Sequence, residues 1–143
     1  MTDEDLLELV SNISYELLEE YNGHLVKLKE PYQTIAIIYN AQGIIDNGGL
    51  PYFFENDWPG QPNYDIFINA YEKIGQDDSA NALREVVQTF GFDQPEKHHA
   101  RRNAFIKEYY DEQECEVTCW NDCICGNETV WAQLANWVRR QER

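Results

Sequence analysis

Four cysteines fall within eleven residues, at Cys115, Cys119, Cys123 and Cys125, and with His24, His98 and His99 they are the side chains best suited to metal or thiol chemistry. The first three stand at i, i+4 and i+8, so on a helix they form one stripe and Cys125 points elsewhere. Structural zinc sites pair their ligands through C-x2-C knuckles, which this chain lacks, so packing of small, soft side chains is the favoured reading. Adjacent His98 and His99 would point about 100° apart on a helix and so share one ion poorly. The run Glu108, Asp111, Glu112, Glu114 and Glu116 has carboxylates for calcium but lacks the Gly-centred loop of a calcium hand, and reads as a solvated helix end. No phosphate-binding glycine loop, G-x-S-x-G turn or H-E-x-x-H helix occurs. The expectation is therefore a protein with no catalytic residue, no cofactor and no metal. A metal- or thiol-dependent enzyme built on Cys115, Cys119, Cys123 and Cys125 is the alternative of another class.

Carboxylates are the other abundant chemistry. The 143 residues carry 26 acids against 11 bases, a net charge of −15. Such a surface repels nucleic acid and anionic membranes, so direct contact with either is not expected and a basic protein is the favoured partner. The charge is uneven. Residues 1–83 hold 15 acids and 3 bases, while residues 84–143 hold 11 and 8. An acidic binding face is accordingly expected from the first half, carried by Asp3, Asp5, Glu8, Glu16, Glu19, Asp57, Asp65, Asp77 and Asp78. Solubility alone is the competing account of the same charge.

These side chains need a frame, and the frame reads as all-α: a single compact domain of about six or seven helices spanning 1–143. With 43% hydrophobic and 13% aromatic residues, the chain can bury a core. The lack of an apolar run of about 18 residues, or of a basic start leading into one, points to a soluble, cytoplasmic protein. Asp3 to Glu20 places Leu6, Leu9, Val10, Ile13 and Leu17 on one helical face, and Asn22-Gly23 stops it. Pro31 opens a central helix toward Ile45, although Thr34 to Tyr39 also suits a buried strand. Asp46-Asn47-Gly48-Gly49 is a breaker, followed by a short aromatic helix and a loop at 57–62. A helical hairpin follows: one helix from Asn63 ending at Gly75, then another capped by Asp77 or Asp78 and closed by Gly91. A helix from about Pro95 to Tyr110 starts polar and ends apolar, so only its second half should be buried. The last helix is capped near Asn127 and should bury Trp131, Leu134, Ala135 and Val138.

Four linked features resemble one family. Asn47-Gly48-Gly49, the aromatic helix Tyr52-Phe53-Phe54-Glu55-Asn56, Ile74-Gly75 and Phe90-Gly91 occur in the order seen in the bacterial DNA-mimic protein nineteen-like family, defined mainly as a domain of unknown function. The resemblance covers roughly Pro31 to Phe92 clearly and the helices of 95–141 loosely, leaving the acidic helix 3–20 before it. The chain departs from the pattern at Pro51 and in the cysteine-rich segment. Asn47, Gly48, Gly49, Phe53, Asn56, Gly75 and Gly91 are thereby marked as structural motif residues. The resemblance implies an all-helical fold, self-association as a homodimer and, for the family's named member, an acidic surface that occupies the DNA site of a transcription regulator. An immunity protein neutralising a toxin is the alternative within the same class. Acids one helical turn apart are spaced about 5.4 Å along the axis, which is compatible with imitation of phosphates.

Overall fold

The computed structural model describes residues 1–112 and 124–141. Helix α1 (Asp3–Glu20) starts in a capping box. The Asp5 N–H donates to the Thr2 hydroxyl at 3.1 Å, and the Thr2 N–H donates to the Asp5 carboxylate at 3.3 Å. It stops where Asn22 and Gly23 turn left-handed and their N–H groups close onto the carbonyls of Glu19 and Leu18. Its buried face differs from the expected row. Leu6, Leu7, Val10, Ser11 and Ser14 are buried, whereas Leu9 is 50% exposed and Ile13 only half-buried. The two serines explain the rotation. Ser14 donates to the Val10 carbonyl at 2.9 Å and Ser11 to the Glu8 carbonyl at 3.1 Å, so each hydroxyl is satisfied within the helix and leaves a small surface for close packing.

Helix α2 (Tyr32–Glu55) is central and packs against α1 and two later helices. Five consecutive residues, Thr34 to Ile38, are buried, so this β-branched run is a helix enclosed on all sides and not a strand. Its start is held by the Glu30 carboxylate, which accepts from the Thr34 N–H at 2.8 Å, the Thr34 hydroxyl at 2.7 Å and the Lys73 ammonium at 2.9 Å. The helix runs past Ile45 to Gly48 and breaks at Gly49, where φ 75 and ψ −172 define a backbone region essentially confined to glycine. Gly48 seats the Tyr52 ring, and a Cβ there would come within 2.1 Å of it. Pro51 falls in the first turn after the break, where its missing N–H has no helical acceptor to lose. The short limb Leu50–Glu55 then delivers Phe53 and Phe54 to an aromatic cluster with Trp58, Tyr64 and Phe67, all buried. Asn56 closes the limb, its N–H donating to the Tyr52 carbonyl.

Helices α3 (Asp65–Lys73) and α4 (Asp77–Thr89) form the expected hairpin. Gly75, at φ +85, joins them, its N–H reaching the Glu72 carbonyl while the Gln76 N–H reaches that of Tyr71. The residue flanking α4 is Gln76; Asp77 and Asp78 lie inside its first turn, where they complement the dipole without capping. Gly91 does not close α4. The helix ends at Thr89, Phe90 is extended, and Gly91 has open space around it. A 3₁₀ turn at Pro95–Lys97 precedes α5 (His99–Glu112), so this helix begins later than expected. Its polar start is exposed at His98, His99 and Arg101, as expected, but Arg102 has no exposed surface. Helix α6 (Thr129–Gln141) begins where the Asn127 side chain accepts from the Thr129 N–H at 3.2 Å. It buries Val130, Leu134, Ala135, Trp137 and Val138 and leaves Trp131 half-buried, packed against α1. Six α-helices and no strand occur among the described residues, and each helix contributes to one apolar cluster, which makes the fold all-α.

Candidate acidic docking surface

At 3.6 residues per turn, Glu4, Asp5, Glu8, Glu16, Glu19 and Glu20 occupy one arc of about 160° around α1, opposite its buried face. All six are exposed, and none forms an ion pair with a described residue. Along the axis they form two groups, Glu4, Asp5 and Glu8 within about 6 Å and Glu16, Glu19 and Glu20 within about 6 Å, with about 12 Å between Glu8 and Glu16. One DNA strand presents a phosphate about every 3.4 Å. Glu4 and Glu20 extend the face beyond the acids expected from sequence; the same helical spacing that placed Glu8 and Glu19 places them.

The other expected acids divide into two groups. Asp3 and Asp57 are engaged within the molecule: Asp3 pairs with Arg139 of α6, and Asp57 with His99 and Arg102. Asp65, Asp77 and Asp78 are exposed in the first turns of α3 and α4. Asp77 and Asp78 edge a polar groove of about 640 Å³ completed by Gln76, Asn127, Thr129 and Gln133.

Arg102 organises the region below Asp57. Its Nε donates to the Phe54 carbonyl at 2.5 Å, Nη1 to the Pro95 and Glu96 carbonyls at 2.9 and 3.3 Å, and Nη2 to the Asp57 carboxylate at 2.5 Å. His99 Nδ1 lies 2.6 Å from the other Asp57 oxygen, and the Asn103 amide stands 3.2 Å from Nε2, so the Nδ1–H tautomer satisfies both contacts. The hydrogen bond from His99, and then Arg102, holds the Asp57 carboxyl below its ordinary range. A depressed carboxylate pKa contributes stability that is complete above the unfolded value and disappears as pH falls through the folded one. The stability difference between the protein and Asp57→Asn is therefore expected to be present at neutral pH and to shrink below about pH 4, as urea unfolding at both conditions would show. Because Asp57 is about half-exposed, the difference should be modest.

Between α1, α2 and α6 lies a cleft of about 730 Å³ lined by Asp3, Glu4, Leu7, Glu8, Tyr39, Trp131 and Ala132. Tyr39 packs on Trp131 with ring centroids 4.8 Å apart, and Tyr15 meets Tyr39 edge-on at 6.2 Å. Burial pushes the phenols of Tyr15 and Tyr39 above their ordinary value, so both stay neutral beside the acids at physiological pH. Sequence reasoning placed Trp131 in the core and gave the cleft no role, since its two walls come from opposite ends of the chain.

The cysteines add little to this surface. Cys125 is half-buried and its thiol donates to the Ile45 carbonyl at 3.5 Å, while Cys115, Cys119 and Cys123 lie outside the described residues, as do Glu114 and Glu116. Among the described residues no group of three His, Cys, Asp or Glu side chains is placed to hold a metal ion, and no helix is long and apolar enough to cross a membrane.

No curated protein and no solved structure matches the chain. A family model, that of DMP19-like protein, does, over residues 26–141. The matched region begins after α1 and reaches beyond the Pro31–Phe92 resemblance through α5 and α6. It spans most of the sequence, including the Gly49 break, the Gly75 connection and the buried Arg102, and the chain therefore belongs to the DMP19-like protein family.

Proposed function

We propose that this protein is a non-enzymatic acidic binding protein that covers the DNA-binding surface of a basic partner in place of DNA, acting in the cytoplasm. The observation that carries the reading is the α1 face: six exposed carboxylates in one arc, unpaired among the described residues and gathered in two groups of three along the axis. Family membership supports the reading from residues 26–141, and the α1 geometry supports it from a segment outside that match. At physiological salt the screening length is about 8 Å, so the three carboxylates of each group act together, and the two groups, about 12 Å apart, act as one field once a partner excludes the solvent between them. The same field discourages binding to nucleic acid itself.

Affinity capture from the native lysate at low salt, eluted with rising salt or with added duplex DNA, tests the proposal. A DNA-binding protein released by both eluents is the expected result. A partner indifferent to both would overturn it, and a single toxin recovered without DNA competition would move the function to immunity.

A further inference from the structure

We propose that the cleft between α1, α2 and α6 is a clamp for an arginine side chain presented by the partner, an inference that rests on the basic-partner reading above. Three features of the cleft carry it. Its floor is apolar and aromatic: Leu7 is buried, and the half-buried rings of Tyr39 and Trp131 lie together 4.8 Å apart. Its rim is acidic on the α1 side, where Glu4 and Glu8 stand one helical turn apart and exposed. At its end, Asp3 already holds a guanidinium of this chain, that of Arg139, so the rim has the chemistry to take one.

The combination selects arginine over lysine. A guanidinium is planar and weakly hydrated, stacks on an aromatic face, and extends a fork of N–H donors toward carboxylates at its edge. Its aliphatic stem can lie along Leu7 and Ala132 while the head reaches the acids. An ammonium is a strongly hydrated point charge that gains from the rim but little from the rings. A line of carboxylates imitating phosphates would treat the two cations nearly alike, whereas the ring floor gives the surface a preference. The cleft also joins two parts of the chain: its rim comes from residues 3–8, before the family-matched segment, and its rings come from within that segment.

The test uses the full chain and two blocked peptides of equal length and charge, one with three arginines spaced by serine and one with three lysines. Calorimetry should give about three- to tenfold tighter binding of the arginine peptide, the range expected of a partly desolvated cation on a ring. The Trp131 indole N–H resonance should shift with the arginine peptide and saturate. Trp131→Leu should abolish the preference, and the exposed double substitution Glu4→Gln with Glu8→Gln should weaken both peptides. Equal binding of the two peptides, absence of binding, or a preference retained in a folded Trp131→Leu protein would overturn the clamp. So would an uncharged leucine peptide binding as well as the arginine one. If Trp131→Leu fails to fold, the indole shift in the unaltered protein decides. Failure here alongside recovery of a salt- and DNA-released partner from lysate would remove the clamp and leave the acidic docking surface standing.

Discussion

Replacement of Arg102 by methionine is expected to lower the unfolding free energy by about 3–5 kcal/mol, the largest single-site loss of stability we anticipate at a charged residue. Methionine approximates the arginine stem but not the buried guanidinium, so the loss combines unpaired polar groups with the space the head leaves. The guanidinium is buried and donates to three carbonyls, those of Phe54, Pro95 and Glu96. These carbonyls belong to the end of α2 and to the turn before α5, two segments that lie far apart in sequence. Without Arg102 the carbonyls lose a shared donor, and the join between the segments loses its polar tie. Arg102→Lys should recover only part of the loss, because a single ammonium cannot span acceptors that the planar guanidinium reaches from three nitrogens. Asp57→Ala should cost far less, since its carboxylate is about half-exposed and can be replaced by water. Urea denaturation of the three variants gives the order directly. An Arg102→Met protein as stable as the parent would show that the carbonyl contacts contribute nothing net.

Arg102 also marks where sequence reading stops. A helix start with His98, His99, Arg101 and Arg102 reads as solvated, which holds for the first three; Arg102 departs because the acceptors that justify burying a cation are backbone carbonyls without side-chain signature. Ser11 and Ser14 mislead in the same direction, since their hydroxyls are satisfied inside α1 and a polarity count turns the buried stripe toward Leu9. By contrast, the connections at Asn22-Gly23 and Gly75 were legible, because left-handed backbone restricts the residue type locally. The break near Gly49 was legible for the same reason, although α2 persists to Gly48 on the strength of its enclosed packing. Gly91 shows the limit of that logic: it follows a helix but has neither the dihedral nor the crowding that would require glycine. The acidic face of α1 follows from spacing alone. The aromatic cleft beside it does not, as Tyr39 and Trp131 meet only once α2 and α6 have packed.

Conversion of Glu8, Glu16, Glu19 and Glu20 to glutamine is expected to slow association with the captured partner by about 10- to 100-fold at low ionic strength, and to flatten the dependence on salt. The effect on stability should have the opposite sign. Helix α1 has no basic residue in its last turn, where Glu19 and Glu20 face the negative end of the dipole. Each such acid costs about 0.3–1 kcal/mol in a typical exposed helix. Glu16 and Glu20 add a like-charge pair at i, i+4 that opposes the helix by about 0.2–0.5 kcal/mol. Neutralisation should therefore raise the melting temperature slightly while weakening the complex. That pairing of outcomes separates docking from solubility, because a charge kept only for solubility would leave the association rate of a soluble variant unchanged. A helix that keeps acids where its own dipole disfavours them gains from them outside the fold, and a basic surface brought against α1 would supply that gain. Stopped-flow association measured against salt, with thermal unfolding of the same samples, reads both signs at once. A variant that is more stable and binds equally fast would remove the α1 face from the interface.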